Sequence, residues 1–166
     1  MTGSIDTEGT PRQSLFLGGA RSGKSSLAER FLLNGPAPHI YVATAEAGDA
    51  EMALRIARHR ADRAADWRTV EAPLLLAEAL GDVPPGASVL VDCATLWLSN
   101  QLLGGADPEV ECGRLVTALR TSPARRIAVV SNEVGWGIVP ENALARAFRD
   151  AQGRLNQRLA GTSDLV

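Results

Sequence analysis

The chain has 166 residues, of which 45% are apolar and 4% aromatic, a length and composition that fit one globular domain with one core. Its formal net charge of −2 at pH 7 argues against a protein that holds nucleic acid or an anionic membrane through bulk positive charge. Two cysteines, and no stretch with the character of a signal peptide or a membrane span, predict a cytoplasmic protein without a disulfide framework.

Residues 1–13 are polar and contain Gly, Ser, Thr and Pro, and we expect them to form a disordered tail before a single domain over 14–166. The predicted strands are 14–17, 39–43, 67–70, 87–91 and 126–130, and the predicted helices are 24–33, 49–65, 73–80, 95–103, 108–120 and 140–159. Pro140 is expected to begin the last helix. This alternation indicates an α/β fold with helices on both faces of a mostly parallel sheet. Leu165-Val166 has the pattern of a further strand, which we expect to be cut short.

A phosphate-binding pattern lies between the first strand and the first helix. Gly18-Gly19-Ala20-Arg21-Ser22-Gly23-Lys24-Ser25 matches G-x-x-x-x-G-K-S, the pattern of a P-loop. Its glycines let the backbone turn tightly and present N–H groups to phosphate, and the following helix directs its positive end at the anion. Lys24 is expected to reach the β- and γ-phosphates, and the hydroxyl of Ser25 to bind Mg²⁺. The sequence therefore predicts a site for a nucleoside triphosphate.

Two acidic residues follow buried strands and are candidates for the second acid of such a site. Asp92 follows Val89-Leu90-Val91, and Glu133 follows the strand over 126–130. The carboxyl ends of parallel strands line the site in such sheets, so Asp92 is predicted to hold Mg²⁺ directly or through water. The alternative for Asp92 is that it caps the next helix. Glu133 is a second candidate for the metal.

Further segments follow the P-loop in an order typical of one family. They are Tyr41-Val42-Ala43-Thr44, Arg55-Ile56, His59-Arg60, Trp67-Arg68-Thr69-Val70-Glu71, Val91-Asp92-Cys93, Thr95-Leu96-Trp97, Ser131-Asn132-Glu133-Val134-Gly135, Gly137-Ile138-Val139-Pro140, Arg146, Phe148-Arg149-Asp150, Gly153 and Asn156-Gln157. Over about residues 15–159 the chain resembles the bifunctional adenosylcobinamide kinase/adenosylcobinamide-phosphate guanylyltransferases of cobalamin biosynthesis. The P-loop is shared by many families, whereas the stretch from Asn132 to Asp150 is far more specific.

The resemblance implies a RecA-like sheet of the P-loop NTPase type and two reactions. The enzyme would phosphorylate adenosylcobinamide from ATP or GTP. It would then transfer GMP from GTP, through a guanylyl-histidine, to adenosylcobinamide phosphate and so give adenosylcobinamide-GDP. The resemblance also implies a corrinoid substrate and a homotrimer, and with the P-loop pattern it implies Mg²⁺. The charge balance and the lack of a long apolar stretch predict no nucleic-acid partner and no membrane span.

His59 lies in the segment where this family carries its histidine, and the resemblance assigns it as the catalytic nucleophile. A neutral imidazole is nucleophilic, and the adjacent Arg58 and Arg60 would stabilise charge on the nucleotide's phosphoryl oxygens. Without the resemblance, a solvated histidine on a basic helix face is the favoured interpretation. The other histidine, His39, opens a strand and is interpreted as structural.

The resemblance also suggests nucleotide contacts by Glu71 and Thr44. A carboxylate accepts from both N–H groups of the guanine edge, which adenine cannot match, and the alternative for Glu71 is an exposed acid at a strand end. Trp97 and Trp136 are interpreted as packing residues in preference to ligand-stacking ones, although the glycine-rich loop around Trp136 is also a candidate border of the corrinoid site. A salt-bridged helix face is predicted for Arg146, Arg149 and Asp150.

Three other functions remain as alternatives. An unrelated P-loop kinase for a small molecule would leave His59 inert, and GTP would leave no covalent mark on it. A nucleotide switch that signals to a partner protein would hydrolyse slowly and ignore corrinoids. A RecA-like DNA-dependent ATPase is disfavoured by the acidic charge balance.

Overall fold

One sheet of five parallel strands organises the part of the chain that the computed structural model describes, residues 9–46 and 66–166. The strands are β1 (Gln13–Gly18), β2 (His39–Ala43), β3 (Trp67–Glu71), β4 (Ser88–Asp92) and β5 (Arg126–Asn132). Their order across the sheet is β1-β5-β4-β2-β3, and every pairing is parallel. The carboxyl ends of all five strands therefore lie at one edge.

Helices cover both faces of this sheet. They are α1 (Lys24–Leu33), α2 (Leu76–Gly81), α3 (Ala94–Leu103), α4 (Pro108–Thr121) and α5 (Ala143–Thr162). None of the helices within the described ranges is both long and apolar enough to cross a membrane. The helix predicted over 49–65 lies outside the described residues. The sheet and its covering helices confirm the predicted α/β fold of the P-loop NTPase type.

Alternation along the strands divides the core between the two faces. On one face, Ala28 and Leu32 of α1 pack with Leu90, Ala128 and Val130 of β4 and β5. On the other face, the neighbouring strand residues pack against helices α2 to α5, with fully buried side chains that include Leu76, Trp97, Leu115 and Leu155. Successive strand residues point to opposite faces, and so a near-continuous apolar strand buries both of its sides.

Two helices begin later than the sequence predicted. The carbonyl oxygens of Pro73 and Leu74 accept hydrogen bonds from side chains of α3, at 3.1 Å from Asn100 and 3.1 Å from Trp97, and α2 starts only at Leu76. The last helix does not begin at Pro140.

Asn142 is the N-cap of the last helix, α5, which begins at Ala143. Its side chain accepts from the backbone N–H groups of Leu144 (2.8 Å) and Ala145 (3.2 Å), which are donors that a helix N-terminus leaves without partners. A capping asparagine therefore outweighs the preference of Pro140 for a first helical turn.

Both described ends of the chain are held beside β1. Arg12 donates to the carbonyl oxygens of Leu119 (3.2 Å) and Ser122 (2.8 Å), and Gln13 begins β1. These two residues, which the sequence analysis placed in the tail, are therefore part of the packed structure. Leu165 forms a parallel bridge with Ser14, in agreement with the strand pattern predicted there.

Candidate active site

The P-loop leads from the carboxyl end of β1 into α1. Gly23 is the N-cap of α1 with φ 84°, a left-handed conformation that favours glycine, and no side chain caps the helix. The first turn of α1 carries no acidic residue. Its free N–H groups and the positive end of its dipole are therefore available to an anion.

Lys24 and Gly18 show how tightly the loop closes on itself. The ammonium nitrogen of Lys24 donates to the carbonyl oxygen of Gly19 at 2.9 Å, so the charge lies across the loop. A Cβ atom on Gly18 would stand 3.1 Å from the hydroxyl of Ser22, closer than ordinary van der Waals contact. The loop is therefore compact, and the binding of a triphosphate by its N–H groups and Lys24 stays a prediction.

Asp92 lies beside the P-loop helix. The hydroxyl of Ser25 donates to Oδ1 of Asp92 at 3.3 Å, and the hydroxyl of Tyr41 donates to Oδ2 at 2.5 Å. The structure thus brings together the two residues that were predicted to hold a metal. Tyr41 was not predicted as a site residue. The feature that could have indicated it is its position in β2, two residues before Ala43, which pairs with Asp92.

Thr44 is completely buried and uses its hydroxyl within the protein. It donates to the carbonyl oxygen of Cys93 at 2.7 Å and accepts from the backbone N–H of Cys93 at 2.8 Å. Burial, reinforced by the nearby charge of Asp92, raises the pKa of the Cys93 thiol. Thr44 therefore fixes the backbone that follows Asp92, and its contact with nucleotide stays a prediction.

Glu71 ends β3 at the same edge of the sheet. Ala43 of β2 pairs with Glu71 on one side and with Asp92 on the other, so the three strand ends are level. Glu71 is exposed and lies two strands from Asp92, on the side away from the P-loop. The contact of Glu71 with a nucleotide base stays a prediction.

The remaining sequence candidates separate into packing, surface and undescribed residues. Trp97 is buried and donates from its indole nitrogen to Leu74, which confirms its packing role. Trp136, in contrast, is 91% exposed and does not pack into the core formed by the described residues. His39 is buried with its ring 5.4 Å from that of Trp67, as a structural residue would be. Arg58, His59 and Arg60 lie outside the described residues.

Glu133 and the helix-face residues have local partners. Oε1 of Glu133 accepts from the backbone N–H of Gly135 at 2.6 Å, so the carboxylate shapes its own loop. Arg149 forms an ion pair with Asp150 at 3.0 Å, while Arg146 instead donates to the backbone carbonyl of Pro140 at 2.9 Å. The predicted salt-bridged face is therefore confirmed for one pair and wrong for Arg146.

The fold and this site define a P-loop nucleotide-binding enzyme with its phosphate cradle and an acidic partner at the carboxyl edge of a parallel sheet. The family model described as cobinamide kinase / cobinamide phosphate guanyltransferase matches residues 14–166. The chain belongs to this family, and the resemblance found in its sequence is confirmed.

Curated relatives agree over most of the chain. The bifunctional adenosylcobalamin biosynthesis protein CobP of Pseudomonas aeruginosa is 48% identical over 157 residues, which cover 93% of this chain and 90% of that protein. The bifunctional adenosylcobalamin biosynthesis proteins CobU of Salmonella typhimurium and Escherichia coli are 44% and 42% identical, with 92% of each chain covered. The chain is thus a nucleotide-using transferase of cobalamin biosynthesis, with cobinamide kinase and cobinamide-phosphate guanylyltransferase activities. The three alternative functions are excluded by this membership.

Proposed function

We propose that one triphosphate cradle serves both reactions of this enzyme, and that His59 carries the guanylyl group between GTP and adenosylcobinamide phosphate. The observation that carries the shared cradle is the uncapped N-terminus of α1, with Lys24 across the P-loop and Ser25 on Asp92, whereas the role of His59 rests on membership of the family. A single set of donors at this place suits the phosphates of ATP or GTP alike.

Mg²⁺ fits the oxygen atoms that the site offers. Ser25 and Asp92 supply a hydroxyl and a carboxylate, which are the hard ligands that Mg²⁺ prefers, and their oxygens are 3.3 Å apart. No group of three or more His, Cys, Asp or Glu side chains that could hold a metal is found within 9–46 and 66–166. Mg²⁺ usually binds through one or two protein oxygens together with substrate phosphates, so Ser25 and Asp92 would hold it, and it would neutralise phosphate charge there.

The kinase step requires alignment and neutralisation of charge more than covalent help from the protein. Lys24 and the N–H groups of the P-loop would bind the β- and γ-phosphate oxygens. These groups are fixed before the reaction and need no rearrangement as charge develops on the transferred phosphoryl group. The hydroxyl of adenosylcobinamide would then attack the γ-phosphorus in line with the departing nucleoside diphosphate.

The guanylyl step places the attack at the α-phosphorus instead. An imidazole nitrogen of His59 would form a bond to the α-phosphorus, and the bond from that phosphorus to the α,β-bridging oxygen would break, which releases pyrophosphate. A phosphate oxygen of adenosylcobinamide phosphate would then attack the phosphoramidate, take the GMP and restore the histidine. Arg58 and Arg60 would stabilise the charge on the phosphoryl oxygens.

Nucleotide specificity, cellular location and oligomeric state belong to the same proposal. Glu71 would accept from the guanine edge and favour GTP for the guanylyl step, and Thr44 would hold the adjacent backbone, close to the nucleotide. We further propose that the enzyme acts in the cytoplasm as a homotrimer on its corrinoid substrate, without a nucleic-acid partner.

The test is the intact mass of the protein after incubation with GTP and Mg²⁺ but without corrinoid. We expect the gain of one GMP and the release of pyrophosphate. The adduct should be labile in acid and stable in alkali, as a phosphoramidate is.

Two histidine variants locate the adduct. His59→Ala should lose the adduct and guanylyl transfer while it keeps cobinamide phosphorylation. His39→Ala is the matched control and should keep both reactions. Wild-type uptake of GMP by His59→Ala, or peptide mapping that places GMP elsewhere, would show that His59 is not the carrier.

A further inference from the structure

Asn132 lies between the two halves of the proposed phosphate site. Strand β5 separates β1, which leads into the P-loop, from β4, which ends at Asp92. Gly18 pairs with Asn132, whereas Asp92 pairs with Val130, so β5 extends two residues beyond the level of Asp92. The end of β5 is therefore level with Gly18, the first glycine of the P-loop, and β5 lies next to β4, the strand that ends at Asp92.

The side chain of Asn132 belongs to the face of the sheet that carries the P-loop helix. Ala128 and Val130 pack with Ala28 and Leu32 of α1, and alternation places Asn132 on the same side. Asp92 is on this face too, because it contacts Ser25 of α1. Asn132 thus lies on the same face as Asp92, at the end of the strand between β1 and β4, and a γ-phosphoryl group bound by Lys24 and the P-loop would lie near this strand end.

Buried side chains hold the backbone of Asn132 from the opposite face. Its N–H donates to the hydroxyl of Thr95 at 2.7 Å, and its carbonyl oxygen accepts from Nδ2 of Asn156 at 3.1 Å. Oδ1 of Asn156 in turn accepts from Ser131 at 2.6 Å and from Gln152 at 2.8 Å. All four of these supporting side chains are buried.

A connected set of buried polar groups rigidifies the segment that it binds, at the cost of taking polar atoms out of water. Both backbone hydrogen-bonding groups of Asn132 are held by this set. The carboxamide itself is half-buried and makes no hydrogen bond to any residue within 9–46 and 66–166. The network therefore fixes the position of a side chain whose own donors and acceptor remain available to a ligand.

We propose that Asn132 contacts the γ-phosphoryl group and the attacking hydroxyl in the kinase step, an inference that rests on the shared cradle proposed above. Its N–H group would donate to a γ-phosphoryl oxygen, and its carbonyl oxygen would accept from the cobinamide hydroxyl and orient it. The hydroxyl oxygen forms a bond to the γ-phosphorus, and the bond from that phosphorus to the β,γ-bridging oxygen breaks. The nucleoside diphosphate leaves, and the hydroxyl proton passes to water. In guanylyl transfer the γ-phosphate only departs within pyrophosphate, so Asn132 matters much less there.

The test compares the two reactions in one variant. Asn132→Ala should lower kcat for cobinamide phosphorylation by about a hundredfold to a thousandfold, the usual loss when one donor to a transition state is removed. KM for the nucleotide and the rate of GMP transfer to cobinamide phosphate should stay within about threefold of wild type. Asn34→Ala makes the same chemical change at the C-cap of α1, at the far end of that helix, and should change neither reaction.

A second variant preserves the shape of the side chain. Asn132→Asp places a carboxylate beside the γ-phosphate, so it should weaken binding of a non-hydrolysable triphosphate more than binding of the diphosphate, as measured by calorimetry. Equal weakening of both nucleotides, or equal losses in both reactions of Asn132→Ala, would assign Asn132 a structural role and overturn the proposal.

Lys24→Ala distinguishes a failure of the shared cradle from a failure of the role proposed for Asn132. If Lys24→Ala keeps both reactions, the shared cradle fails, whereas loss of both beside an unaffected Asn132→Ala refutes only the role of Asn132.

Discussion

Lys24 is the only lysine among the 166 residues, and its ammonium group crosses the P-loop to the carbonyl oxygen of Gly19. Lys24→Ala should abolish kinase turnover and strongly reduce guanylylation, because one cradle would bind the triphosphate in both reactions. Steady-state rates at saturating nucleotide are the measurement. Ser26→Ala changes an exposed neighbour on the same helix and serves as the control. Near-normal rates for Lys24→Ala in both reactions would remove the P-loop from the mechanism.

Glu71 provides a test of base recognition. Glu71→Gln should weaken binding of GTP more than that of ATP, since it removes a carboxylate suited to the two N–H groups of the guanine edge. A charge-assisted hydrogen bond of this kind is worth roughly 1.5–3 kcal/mol, and nucleotide titrations by calorimetry would measure the difference. Glu78→Gln alters another exposed acid, which is paired with Arg114 on the far side of α2, and should affect neither nucleotide. Equal effects of Glu71→Gln on GTP and ATP would assign Glu71 a structural role.

Single residues differ in how far the sequence could predict them. The P-loop was predictable because its spacing encodes its geometry, and Asp92 because it follows an apolar strand in a parallel sheet. The buried hydroxyl of Thr44 was not, because its partner Cys93 is 49 residues away and only the pairing of β2 with β4 brings them together. Trp136 was misjudged because aromatic character alone does not show whether a side chain has neighbours to pack against.

Helix α5 connects the hydrophobic core to the proposed phosphate site. Its middle carries Leu155 and Leu159, which are fully buried, together with Gln152 and Asn156 of the polar network. The apolar spacing of this helix was readable from the sequence. Its start was not, because the choice between Pro140 and Asn142 depends on which side chain reaches the free N–H groups.

The cap of α5 yields a prediction on stability. Asn142→Ala should lower the free energy of unfolding by about 1 kcal/mol, since it removes the acceptor for the N–H groups of Leu144 and Ala145. Urea denaturation monitored by circular dichroism would measure it. Asn142→Asp retains a capping oxygen and should stay close to wild type. If the alanine and aspartate variants are equally stable, the side chain of Asn142 does not cap α5 in solution.

The order of the strands across the sheet brings the P-loop, Asn132 and Asp92 to the proposed phosphate site. The sequence indicated parallel strands separated by helices, but it did not indicate that β5 lies between β1 and β4. Local patterns do not contain that information, because an apolar run that predicts a buried strand does not specify which other strands lie beside it. The role proposed for Asn132 could therefore be inferred only once the sheet order was known.

We expect the protein to assemble as a homotrimer through an exposed apolar surface. The segment after β5 exposes large apolar side chains, with Trp136 91%, Ile138 97% and Val139 59% exposed. Contiguous exposed apolar surface usually marks an interaction site, and we expect this surface to be covered in the homotrimer. Light scattering coupled to size-exclusion chromatography should give three times the chain mass of 17.5 kDa at the concentrations where the enzyme is active.

Two substitutions test which surface holds the trimer together. Trp136→Ser combined with Ile138→Ser should lower the mass toward that of the monomer, because it removes apolar area that the free chain leaves in water. Leu103→Ser changes a side chain that is 73% exposed at the end of α3 and serves as the matched control, which should remain trimeric. A wild-type chain that is a stable, fully active monomer would refute the trimer. A trimer that survives the double substitution would place its contacts on another surface and leave the exposed segment to the corrinoid.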